Sequence, residues 1–141
     1  HRDLHSFPTR RSSDLELDAG NAWPFFIFID HGRTLVGAIT LSNVRRGVAE
    51  TGTIGYWVAS RFAGRGLATG AVKTLARYTF DELGLHRVEA SCVPHNAASR
   101  RVLEKAGFEL EGRARAYLKI NGAWADHLLF GRVNDGTGRA G

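Results

Sequence analysis

Two short stretches of this chain have residue types and spacing suited to chemistry. The first is Arg61-Phe62-Ala63-Gly64-Arg65-Gly66-Leu67-Ala68, lying between a strand-like segment that ends Gly55-Tyr56-Trp57-Val58 and a long amphipathic stretch. Two glycines so spaced let the backbone turn tightly and approach a ligand without a Cβ in the way. The amides of such a turn and the free N–H groups at the start of the next helix form a cradle for an anion. A pyrophosphate is a natural guest for the amides of Gly64 to Ala68, and Arg65 and Arg61 add charge-assisted contacts. The competing reading is a plain helix-start turn. The second stretch is Pro94-His95-Asn96-Ala97-Ala98-Ser99-Arg100-Arg101-Val102-Leu103-Glu104-Lys105-Ala106-Gly107-Phe108. Asn96 is a good N-cap for a short helix, and Ser99 is a polar side chain in its first turn.

The elements that must position these residues are legible from period and punctuation. Trp23 to Asp30 reads as an aromatic and β-branched strand, Asp30-His31-Gly32-Arg33 as a turn, and Arg33 to Val44 as the returning strand. After a loop from Arg45 to Ala49, Glu50 to Ser60 is a third strand. The spacing of Leu67, Ala68, Ala71, Val72, Leu75, Ala76, Thr79 and Leu83 predicts a helix over Arg65 to Leu83, ended by a left-handed Gly84. His86 to Val93 is a strand, Ala97 to Ala106 a helix with Gly107 after it, and Asn121-Gly122 joins a hairpin of Phe108 to Ile120 and Ala123 to Val133. This order predicts an α/β (α+β) fold with a mixed sheet and flanking helices.

With both stretches in this order, the chain from about Leu35 to Val133 resembles the GNAT N-acetyltransferase superfamily, in its ribosomal-protein N-acetyltransferase (RimJ/RimL-like) branch. Arg61-x-x-Gly64-x-Gly66 is similar to the superfamily's acetyl-CoA pyrophosphate loop. Asn96-x-x-Ser99 with Leu103-Glu104-Lys105-x-Gly107-Phe108 is similar to its second cofactor-side motif. Ile120-Asn121-Gly122 and Trp124-x-Asp126-His127 match the branch's tail.

The resemblance implies acetyl transfer from acetyl-CoA to a primary amine, a protein N-terminus or a small amine, by direct attack in a ternary complex. It implies a mostly antiparallel sheet whose central parallel strands, Gly52 to Ala59 and Arg87 to Val93, splay apart, with a bulge at Gly52 or Gly55 making the splay. An amide near Trp57 or Val58 would face the thioester oxygen. It implies that Ser99 protonates the departing thiolate, since Leu103 stands where many members have a tyrosine. Ser99 and Asn96 thus join Trp57, Val58, Arg61, Gly64, Arg65, Gly66, Leu67 and Ala68 as expected cofactor contacts. For the base, Glu89 shares by strand alternation the face of Ser91, where the superfamily often has its glutamate. Glu111 and Asp126 are alternatives, and Ala116 stands where the branch commonly has a glutamate. A module that binds acetyl-CoA without turnover is the alternative function.

Composition fits this class. Hydrophobic content is 43% and charged content 23% in 141 residues. No apolar run is long enough to span a membrane. Formal charge is +5, and Arg2, Arg10 and Arg11 against Asp3 and Asp14 account for one of these charges. Such an excess suits an anionic cofactor; the basic residues are scattered, which argues against nucleic acid. Cys92, the single cysteine, lies in a predicted buried strand and fits a reducing, cytoplasmic setting. The histidines lack metal-ligand spacing, so no metal is expected. Trp23, Trp57 and Trp124 read as core or pocket wall, and Tyr117 as core edge or acceptor contact.

Residues 1–15 lack apolar periodicity, and His5 to Asp14 read as a translated sequencing adapter. The expectation is a non-native leader over 1–15, the alternative being a disordered basic arm. A partial acetyltransferase domain over 16–133, lacking the family's first strand and two helices, and a flexible tail over 134–141 complete the expected organisation.

Overall fold

A computed structural model describes residues 22–136. The expected leader lies outside the described residues, as do the last five positions of the expected tail. Among the described residues, six strands and two α-helices follow in the order β1 (Trp23–Ile29), β2 (Thr34–Arg45), β3 (Thr51–Val58), α1 (Leu67–Asp81), β4 (Arg87–Cys92), α2 (Ala97–Lys105), β5 (Glu109–Ile120) and β6 (Ala123–Val133). The strands form one sheet ordered β1-β2-β3-β4-β6-β5. Among the described residues, only the β3–β4 pair is parallel; the other pairs are antiparallel.

The turn chemistry is as the residue types dictate. Asn121 and Gly122 sit at φ of 50° and 82°, so the β5–β6 hairpin closes through two left-handed residues. Gly107, at φ 90°, ends α2: Phe108 N–H donates to the Leu103 carbonyl and Gly107 N–H to that of Glu104.

One hydrophobic cluster unites both helices with the sheet. Val72, Leu75, Ala76 and Phe80 of α1 and Leu103 of α2 pack with Ile39, Leu41, Ile54, Val88, Ala90, Cys92 and Phe130. Burial alternates along β4, with Val88, Ala90 and Cys92 buried and Arg87, Glu89 and Ser91 half-buried. Successive strand residues point to opposite faces, so Glu89 and Ser91 face away from the helices. Thr79, fully buried on α1, satisfies its hydroxyl by donating to the Leu75 carbonyl at 2.8 Å.

Three details depart from the sequence reading. Helix α1 begins at Leu67 rather than Arg65, because Gly64 and Gly66 hold φ of 78° and 77°, which no right-handed turn can include. It ends at Asp81 rather than Leu83, and Gly84 turns the chain at φ 69° after two further residues. The bulge expected in β3 at Gly52 or Gly55 lies instead in β2. There Ser42 pairs with Thr53 and Arg45 with Thr51, which leaves one extra residue on β2, and Asn43 takes φ 50°. Gly52 has a packing role: a Cβ there would stand 2.7 Å from Leu41 Cδ1.

Candidate active site

Strands β3 and β4 pair at only three positions, Thr51 with Arg87, Gly52 with Val88 and Thr53 with Glu89. Beyond them β3 stays paired to β2 as far as Val58, and β4 to β6 as far as Cys92. Each strand is held by its outer neighbour while the inner edges part. The backbone of β3 from Ile54 to Val58 thus presents an edge to the gap, and such an edge is a ready partner for a ligand with amide groups.

A cleft of about 660 Å³ opens at this splay. Eight of the expected contacts meet in it: Trp57, Val58, Gly64, Gly66, Leu67, Ala68, Asn96 and Ser99. A single 3-10 turn, Ser60–Phe62, leads from β3 to the glycines. A Cβ built on Gly64 or Gly66 meets nothing within 4 Å, so these glycines are required by their backbone conformation, and the space before them is open. Gly66 is the N-cap of α1, and no side chain caps the helix. Its first amides point their dipole at the cleft. An open cradle with uncapped amides fits a pyrophosphate.

Arg61 and Arg65 are placed differently from the other expected contacts. Their guanidinium carbons stand 4.9 and 5.3 Å from the centre of the Phe62 ring, and it is Phe62 that lines the cleft. Two cations that the sequence reading did not select as cofactor contacts do line it, Arg101 and Lys105 on α2. Their signal was present: Ala98, Arg101 and Lys105 follow the three- and four-residue spacing of one helical face.

Ser99 is held from two sides. Its N–H donates to Asn96 Oδ1 at 3.0 Å, the N-cap expected from the sequence. Its Oγ lies 2.6 Å from the hydroxyl of Tyr56, a residue the sequence reading did not select. Burial pushes the Tyr56 phenol above its ordinary 10.0. Cys92, buried as expected, also has its thiol raised by burial.

Glu89 is not in this cleft. It lines a second cavity of about 310 Å³ together with Thr53, Arg87, Ser91, Glu111 and Tyr117. Arg87 Nε donates to Glu89 Oε2 at 2.8 Å, and the two terminal nitrogens of Arg87 grip Glu111. The fork crosses above Gly131, where a Cβ would stand 2.6 Å from both Arg87 Nη1 and Glu111 Oε2. Arg87 holds the Glu111 carboxyl below its ordinary range, and the Arg87 guanidinium is raised in return. Asp126 is lowered chiefly by the Ala116 amide, 2.9 Å from Oδ1, and then by Arg113, 2.9 Å from Oδ2. Glu111 and Asp126 are therefore weakened as bases. Asp126 instead pins a bulge of β5 in which Ala116 takes φ 45°.

The remaining aromatics separate by position. Trp23 packs against the core, Trp57 lines the cleft, and Trp124 is 64% exposed with Lys119 Nζ 6.0 Å from its ring centre. Trp124 is thus outside the core, on the β5–β6 hairpin. Tyr117 faces the second cavity.

Comparison with known proteins agrees with this geometry. The sequence profile of the acetyltransferase (GNAT) domain matches residues 3–109. A probable N-acetyltransferase, YjcK of Bacillus subtilis, is 42% identical over 118 residues, 84% of this chain and 65% of that protein. The [ribosomal protein uS5]-alanine N-acetyltransferase of Escherichia coli is 36% identical over 110 residues, 78% of this chain and 57% of that enzyme. The solved structure of Mycobacterium smegmatis RimJ in complex with CoA-disulfide superposes with a TM-score of 0.82 at 40% identity, covering 89% of this chain and 59% of that one. The chain thus spans less than two thirds of each of these relatives. Splayed sheet, glycine turn and profile match together show that this chain belongs to the GNAT acetyltransferase family.

Proposed function

We propose that this chain is the acetyl-CoA-binding part of an N-acetyltransferase that moves an acetyl group to a primary amine, a protein N-terminus or a small amine, in a ternary complex. The observation that carries this reading is the cleft, which joins an open glycine turn at a helix start to a serine at the gap between two splayed strands. In this reading the amides from Gly64 to Ala68 bind the pyrophosphate, and Arg101 and Lys105 balance phosphate charge. Arg61 and Arg65 attract the anion from the rim. An amide at Trp57 or Val58 faces the thioester oxygen where negative charge develops. The amine nitrogen bonds to the carbonyl carbon, the carbon–sulfur bond breaks, and Ser99 gives its proton to sulfur. Glu89 takes the amine's proton, directly or through water, from the face of the sheet opposite the helices. RimJ bound to CoA-disulfide and the uS5-alanine N-acetyltransferase, both similar chains, support the cofactor and the amine acceptor. A cytoplasmic setting goes with the same reading.

One observation favours a second reading, binding without turnover: the expected base, Glu89, is ion-paired with Arg87 at 2.8 Å. Calorimetric titration of acetyl-CoA, followed by turnover with a panel of amines, tests both. Saturable binding lost in Gly66→Trp, with acetylated amine formed, supports the transferase. Binding with no product from any amine supports the second reading, and no binding overturns both.

A further inference from the structure

Tyr56 lies two residues beyond the buried Ile54 on β3 and therefore points to the helix side of the sheet. Its hydroxyl reaches Ser99 across 43 residues of sequence, 2.6 Å from Oγ and 3.5 Å from the carbonyl oxygen. Both residues are half-buried and both line the cleft. A serine hydroxyl has one hydrogen and two lone pairs, and it rotates. A phenol titrates near 10, far below an aliphatic alcohol, and so is the stronger donor of the pair. When Tyr56 donates to Ser99 Oγ, the single Ser99 hydrogen is left for a different acceptor. The Asn96 cap meanwhile fixes the Ser99 backbone. The buried Cys92 thiol lies near Tyr56, and Arg101 and Lys105 are the cations that line the same cleft.

We propose that Tyr56 is a positioning residue whose hydroxyl donates to Ser99 Oγ and so aims the Ser99 proton into the cleft, at the sulfur of the leaving thiolate. This inference rests on the transferase reading above. As the carbon–sulfur bond breaks, its electron pair stays on sulfur and Ser99 supplies the proton. The Tyr56 hydrogen bond offsets the negative charge that develops on Ser99 Oγ as its proton moves to sulfur. The proton that Glu89 takes from the amine returns through water to the serine, so that the net change is amine proton to sulfur. Hydrogen bonds in such a chain strengthen one another in a partly dry site.

The test is a double-variant cycle on the full chain with Tyr56→Phe, Ser99→Ala and both together. Tyr56→Phe keeps the ring and removes only the hydroxyl. It is expected to lower kcat about five- to tenfold, the value of one neutral hydrogen bond, with the acetyl-CoA KM within about twofold. In the Ser99→Ala background the same change is expected to add less than about twofold. Losses that multiply in the double variant, or an unchanged kcat in Tyr56→Phe, would overturn the inference while leaving the transferase reading intact. A wild-type chain that acetylates no amine overturns that reading and the inference together. A second measurement guards against an unfolded variant: 3-fluorotyrosine at position 56 preserves shape and makes the phenol more acidic. The alkaline limb of the kcat profile should then move to lower pH, because an ionised phenol cannot donate; an unmoved limb counts against the proposal.

Discussion

Ser99 depends on neighbours from two elements, its own helix cap and a strand far away in sequence. If it delivers the proton to sulfur, Ser99→Ala should cut kcat by at least about tenfold and leave the acetyl-CoA dissociation constant within about twofold. Stopped-flow turnover beside calorimetry separates the two quantities, and a matched loss of affinity would assign Ser99 to binding instead. The Arg87–Glu111 pair makes a different prediction. Arg87 lowers the folded-state pKa of Glu111 beneath its ordinary 4.5. Its contribution to stability is therefore complete above the unfolded pKa and disappears as pH falls through the lower folded value. The melting-temperature gap between wild type and Glu111→Gln should be widest near neutrality and should close on acidification below about pH 4.5. A gap that widens in acid would show that the pair does not stabilise the fold.

At the scale of elements, two glycines act through different physics. Gly37 on β2 lies so close to β3 that an added Cβ would stand 2.2 Å from the Trp57 carbonyl oxygen. That oxygen belongs to a paired strand and cannot yield without moving the ladder. Gly37→Ala should destabilise the fold by at least about 1–3 kcal/mol, seen as a lower denaturation midpoint. Gly66 is surrounded by open space but holds φ 77°. Replacement there strains the turn by about 1 kcal/mol and fills the cradle. Gly66→Trp should therefore leave the chain folded and weaken acetyl-CoA by about a hundredfold or more. A Gly66→Trp chain that binds normally would remove the glycine turn from the site.

At the scale of the molecule, the exposed apolar side chains of the described residues gather mainly at the two edges of the sheet. Phe26 is 63% and Phe28 50% exposed on β1, beside an apolar groove of about 510 Å³ between β1 and α1. Leu110, Leu118, Ile120 and Trp124 are exposed at the β5–β6 end. Exposed apolar residues on an edge strand promote association. Phe26→Ser with Phe28→Ser should reduce the concentration-dependent light scattering of the chain and leave its melting temperature nearly unchanged. Equal scattering would place the adhesive surface at the other edge.

Local rules were enough for what is local. Aromatic and β-branched runs between turn signals gave the strands, the 3.6-residue period gave α1, the Asn96 cap and Gly107 marked α2, and Asn121-Gly122 took the turn role its chemistry favours. The glycine turn was legible because only glycine holds positive φ there without strain, even though α1 starts two residues later than periodicity alone suggests. What the tertiary structure decided depends on separations the sequence does not measure. Tyr56 reaches Ser99 only because β3 parts from β4 under the start of α2. Arg87 chooses Glu89 and Glu111 because β6 inserts between β4 and β5 and offers a glycine at the crossing. The register shift settled on β2 beside Asn43, a residue type enriched in left-handed backbone among non-glycine residues. Side-chain type fixes what a residue can do, and long-range strand order fixes what it can touch.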